Sequence, residues 1–123
     1  MAAAIEARVR SAGKRAIVDL SGEVDREADA ALLDAYRHAR NSGATGIVLN
    51  FTDVGYINST GIALIVNLLS EARKDGLTVT AFGLSDHYRH IFEITRLSDY
   101  MALYADEATA TAGEYSQLRT KEA

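Results

Sequence analysis

Residues 46–72 limit what this 123-residue chain can fold into more than any other stretch. Gly46-Ile47-Val48-Leu49-Asn50-Phe51 is short, apolar and rich in branched side chains, as in a strand covered on both faces. Ile62, Leu64, Ile65, Val66, Leu68, Leu69 and Ala72 follow as a run of helical length with almost no strand-like alternation. A polar elbow from Thr52 to Gly61 joins the two and sets a hydroxyl, that of Ser59, where the helix opens.

The flanking sequence supplies neighbours for this unit. Ile5 to Arg10 alternates with period two, as in a strand with one wet face, and Arg15 to Leu20 is its hairpin partner across the turn signal Ser11-Ala12-Gly13-Lys14. Ser21 to Asp25 reads as a loop, and Asp25 as the N-cap of a helix that carries Ala28, Ala31, Leu32, Ala35, Tyr36 and Ala39 on one face. Glu27 and Asp29 in its first turn and Arg37, His38 and Arg40 in its last suit the helix dipole, and Gly43 ends it. Leu77 to Phe82 is a fourth strand. Ser85 caps a helix expected to turn Ile91, Ile94 and Leu97 inward. Tyr100 to Tyr104 suits a short fifth strand, and Asp106 caps a last helix that fades near Gly113. Residues 1–113 then form one domain, and residues 114–123 a polar tail.

Alternating strands and helices of this kind give an α/β fold on a mixed sheet of four to five strands packed with helices. Parallel strands with right-handed crossovers bring the loops at Gly22 to Asp25, Asp53 to Thr60 and Gly83 to Ser85 to one sheet edge, where open α/β sheets form their sites. That topology sets Ser59 near Asp25.

Composition narrows the function. A net charge of −4 argues against a nucleic-acid binder that works by neutralising phosphates. With no cysteine there is neither a disulfide nor a thiolate metal site. The first residues lack the charged-then-apolar order of a signal peptide, and the longest apolar run is too short to span a bilayer, so a cytoplasmic protein with no membrane insertion is expected. His87 and His90 share a helix face but have no evident further ligands, so no metal is expected, and no cofactor. Tyr36, Phe51, Tyr56, Phe82 and Phe92 are read as core aromatics.

Three motifs in order resemble the STAS domain family, in its anti-sigma factor antagonist form. They are Gly22-Glu23-Val24-Asp25 before the first helix, Tyr56-Ile57-Asn58-Ser59-Thr60-Gly61 at the opening of the central helix, and Phe92-Glu93-Ile94-Thr95-Arg96-Leu97. The likeness spans about Ala16 to Ala108, with two departures: Asn58 stands where the family usually has aspartate, and Arg96 where it has glycine. The resemblance implies a non-enzymatic binding module. Its partner would be an anti-sigma factor with serine kinase activity, which phosphorylates Ser59 and so releases the antagonist, and a phosphatase would reset it. The partner surface implied comprises Gly22, Glu23, Asp25, Asn58, Thr60 and Gly61 around Ser59.

Physical chemistry fits such a switch. Phosphorylation adds about −1.5 to −2 charges, which a helix N-terminus tolerates and a partner fitted to a neutral hydroxyl does not. Glu23, Asp25 and Asp53 would make the rim acidic. Plainer roles stand beside these. Ser59 or Asn58 is a helix cap, Asp25 is a cap before it is a recognition residue, and Gly61 either admits a close backbone or relaxes the first turn. Two other functions compete. One is an enzyme with Ser59 as nucleophile, against which stand the missing Gly-x-Ser-x-Gly elbow and the want of a partnering histidine. The other is an accessory subunit of a membrane transporter or signalling complex that needs no phosphorylation.

Overall fold

A computed structural model describes residues 4–112. Gly113 and the expected tail, Glu114 to Ala123, lie outside the described residues. Among the described residues, five strands form one sheet in the order β1 (Glu6–Ala12), β2 (Arg15–Val24), β3 (Gly46–Ile57), β4 (Thr78–Phe82) and β5 (Ala102–Tyr104). The β1–β2 hairpin is antiparallel and every other pairing is parallel. The crossovers carry α1 (Asp29–Asn41), α2 (Ser59–Lys74) and α3 (Asp86–Ile94), and α4 (Glu107–Thr111) follows β5.

Strand order equals chain order, so each crossover steps the same way. Right-handed steps in one direction put their helices on one face of the sheet. The core is divided accordingly. Val18, Leu49 and Val79 belong to the large cluster with Leu32 and Tyr36 of α1, Ile65 and Leu69 of α2 and Phe92 of α3. Their strand neighbours Ile17, Val48 and Phe82 point the other way and meet Ala110 of α4. Tyr36 donates its hydroxyl to Asp75, the C-cap of α2, and Arg40 reaches the same carboxylate at 3.4 Å, which ties α1 to the end of α2.

Four expectations need correction. Ser21 to Val24 is not loop but the end of β2, and Thr52 to Ile57 is not elbow but the second half of β3; the two extensions pair with each other in parallel. Backbone hydrogen bonds hold this part of the sheet, and polar side chains on β3 are free to face water there. Ile94 does not turn inward: it is 64% exposed, and Phe92 fills the core from α3 instead. Tyr56 stands 46% exposed on the outer half of β3, whereas Tyr36, Phe51, Phe82 and Phe92 are buried as expected.

Arg10 on β1 links the hairpin to α4, pairing with Asp19 at 2.6 Å and with Glu107 at 2.6 Å. The Arg10 hydrogen bonds hold both carboxyl groups below their ordinary range. A carboxylate with a depressed folded pKa stabilises the fold above its unfolded pKa, near about 4, and loses that contribution as pH falls through the folded value. Arg10→Gln should therefore lower the urea midpoint slightly at neutral pH, the pairs being largely exposed, and leave it unchanged in acid. Equal losses at both pH values would mean that the guanidinium acts only by packing.

Candidate functional site

β2 and β3 end side by side, with Val24 opposite Ile57. The residues that leave the sheet there, Asp25 and Asn58, therefore start about one strand spacing apart, near 4.8 Å. This register is reached through two irregularities in the β2–β3 pairing, between Asp19 and Ser21 and between Gly22 and Glu23, and at each of them β3 carries one residue more than β2. Gly22 takes the left-handed side of backbone space at φ 106°, which a Cβ would oppose.

Each exit opens a helix with its own cap. The Asp25 carboxylate accepts from the Glu27 N–H at 2.9 Å and starts the short 3-10 turn Arg26–Ala28 that leads into α1. The Asn58 side-chain oxygen accepts from the Gly61 N–H at 2.8 Å, and its carbonyl from the Ile62 N–H at 2.9 Å. Asn58 is thus the N-cap of α2 and Ser59 its first residue. Because asparagine and aspartate cap about equally well, asparagine at position 58 makes the cap without adding a charge. The first turn of α2 holds no acidic residue, so nothing on the helix itself offsets its positive dipole end.

Backbone contacts lock the two exits together. The Asn58 N–H donates to the Val24 carbonyl at 3.2 Å. Gly61 presses on that same carbonyl: a Cβ at position 61 would stand 1.9 Å from the Val24 oxygen. From the other side, Tyr88 of α3 accepts the Ile57 N–H on its hydroxyl at 3.0 Å, and its ring meets His87 edge-on at 4.9 Å between centroids.

Of the residues singled out from sequence, Asp25, Asn58, Ser59 and Thr60 come together at the sheet edge, with Ser59 and Thr60 exposed. Glu23 and Gly22 lie just inside the strand, opposite Tyr56 and Val54. Gly61 is buried beneath the elbow, and the close backbone it admits is that of Val24. Asp53 belongs to a different neighbourhood. It pairs with Ser21, four register steps before the Asp25–Asn58 exit, roughly 13 Å away and beyond the screening length of physiological salt. Tyr88 carried no signal in the sequence, because an aromatic on an amphipathic helix reads as core. Among the described residues no group of three or more His, Cys, Asp or Glu could hold a metal, and no helix is long and apolar enough to cross a membrane.

Comparison with known proteins gives consistent likenesses. The family model described as Mlab, STAS domain matches residues 7–104. An anti-sigma-B factor antagonist of Staphylococcus aureus is 32% identical over 84 residues, which cover 68% of this chain and 78% of that protein. An anti-sigma factor antagonist from Mycobacterium paratuberculosis superposes with a TM-score of 0.73 at 22% identity, over 92% of this chain and 97% of that one. The Bacillus cell fate determinant SpoIIAA, in its phosphorylated form, does so with a TM-score of 0.63 at 19% identity, over 84% and 95%. At such identities the two structures speak for the fold.

Proposed function

Because the chain belongs to the STAS domain family, we propose that it is an anti-sigma factor antagonist switched off by phosphorylation of Ser59. Domains of this family are binding modules rather than enzymes, so Ser59 is here an acceptor of phosphate and not a hydrolytic nucleophile. The partner is an anti-sigma factor with serine kinase activity, met in the cytoplasm, and a phosphatase resets the switch.

One observation carries this reading: the helix-opening hydroxyl is exposed while its neighbour does the capping. A capping serine would have its oxygen committed to a backbone N–H, and modifying it would cost the helix its cap. Ser59 has no such duty. Its Oγ can attack the γ-phosphorus of ATP held by the kinase. The new bond joins Oγ to phosphorus, the bond from phosphorus to the bridging oxygen of ADP breaks, and the serine proton passes to a base of the kinase. The product places a dianion against unpaired N–H groups at the positive end of α2, with a neutral amide at position 58 beside it. The fold tolerates the charge, and a partner surface fitted to a hydroxyl does not.

Ser59→Ala is expected to take up no phosphate from the kinase and ATP, to bind the partner as the wild type does, and to shift stability by less than about 0.5 kcal/mol. Phosphopeptide mapping and a urea melt check these three points. Incorporation into the alanine variant at the wild-type rate would remove Ser59 as the acceptor, and a stability loss near 1–2 kcal/mol would mean that it shares the cap.

A further inference from the structure

Resting on the antagonist reading above, we infer that the groove between α2 and the turn after α3 seats an acidic, amphipathic helix of the anti-sigma partner. The groove encloses about 990 Å³. Its floor is apolar, with Leu69, Leu77 and Leu97 among its lining residues. Val66 at 45% and Tyr100 at 64% exposure stand beside it as large apolar groups left facing water. Contiguous apolar surface of this kind marks an interaction site more often than scattered exposed residues do.

Shape and position favour a helix as the occupant. The groove follows α2 from Ile62 to Arg73, about 16 Å of helix axis or three turns, which matches an apolar stripe at helical spacing laid into it. It begins one turn beyond Ser59 on the same helix. A partner that touches the hydroxyl can therefore continue along the groove without leaving α2.

Charge selects the kind of helix. The chain is acidic, with net charge −4, yet this groove is bordered by Arg73 and Arg96 against the single carboxylate of Asp99. Asp99 accepts from Arg96 Nε at 2.7 Å, and the Arg73 side chain has no partner among the described residues. Carboxylates flanking an apolar stripe would complement this rim.

Backbone strain gives a second, independent pointer. Arg96 sits in the left-handed region at φ 68°, ψ 13°, the one non-glycine residue with positive φ among those described. Glycine would take this helix-ending position without cost. An arginine therefore holds this position against its backbone preference and carries its guanidinium, paired with Asp99, to the rim of the groove.

Calorimetry with the purified anti-sigma factor tests this on four folded variants. Arg73→Glu and Tyr100→Ala should each weaken binding by about tenfold or more, the first by less as salt rises. Arg96→Gly should raise the urea midpoint of the free chain and still weaken binding, a pairing of effects that a purely structural arginine would not give. Ser59→Asp is the arm for the antagonist reading itself. Wild-type affinity in either Arg73→Glu or Tyr100→Ala overturns the groove assignment while loss of binding in Ser59→Asp leaves that reading standing. If Arg73→Glu and Tyr100→Ala leave partner affinity intact but change sedimentation of the chain alone, the groove seats a second copy instead.

Discussion

Ser59→Asp is expected to fold as the wild type does and to bind the anti-sigma partner about a thousandfold more weakly, a loss near 4 kcal/mol. The two halves of this expectation rest on different surroundings of one atom. Toward its own helix, a carboxylate at the first position meets the positive dipole end and a first turn without acidic residues, which contributes roughly 0.3–1 kcal/mol in its favour. Toward a partner, the same carboxylate is an anion where a hydroxyl was accommodated, and an unpaired charge desolvated in an interface costs several kcal/mol. Asn58→Asp belongs in the same titration. Aspartate can accept the Gly61 N–H as asparagine does, so the fold should hold, while like charge beside Ser59 disfavours the phosphorylated product and changes the rate of phosphate transfer. Equal partner affinity for Ser59→Asp and the wild type would exclude a switch worked by charge, and would favour an accessory subunit that needs no modification.

Gly61→Ala should destabilise the protein by about 2 kcal/mol or more, although helix propensity alone predicts the opposite sign. In an exposed helix the change would gain up to about 1 kcal/mol. Here the added methyl would fall 1.9 Å from the Val24 oxygen and 2.7 Å from its carbonyl carbon. Those are backbone atoms of a paired strand and cannot swing aside as a side-chain tip can. Overpacking of this kind costs about 1–3 kcal/mol and sometimes more, so the clash outweighs the propensity gain. Relief requires α2 to back away from β2, which strains the Asn58 to Val24 hydrogen bond and carries Ser59 away from Asp25. Denaturation in urea gives the stability change, and the rate of phosphate transfer to the folded variant should fall with it. An unchanged or raised midpoint would show that the elbow is looser than the contact implies.

Much of this was legible in the chain because apolar periodicity and capping chemistry are local. The buried half of β3, the length of α2, and the caps Asp25, Ser85 and Asp106 all follow from residues within a turn or two of one another. What sequence missed depends on contacts between distant segments. The outer half of β3, Thr52 to Ile57, has polar, exposed side chains and is a strand only because the backbone of β2 lies beside it. The residues that converge on the elbow were legible, but the division of labour between Asn58 and Ser59 was not. Two good capping residues stood in succession, and only the hydrogen bond to Gly61 tells which of them caps. Asp53 looked like part of the rim because it is close in sequence, and an extended strand takes it far off. Ile94 fits the apolar stripe of α3 by spacing, but the helix presents Phe92 to the sheet and leaves Ile94 in water.

Under the proposed switch, the contact of Gly61 and Asn58 with Val24 also decides what a kinase would meet in this chain. Val24 and Asn58 are brought together by a parallel pairing that must first span the whole of α1. No short peptide around Ser59 contains that pairing, and a nascent chain released before β3 docks does not possess it either. A kinase that recognises the elbow is therefore addressing a conformational epitope rather than a linear motif. Phosphate would then mark folded antagonist alone. The cell's count of modified molecules would report on the functional pool and ignore unfolded copies.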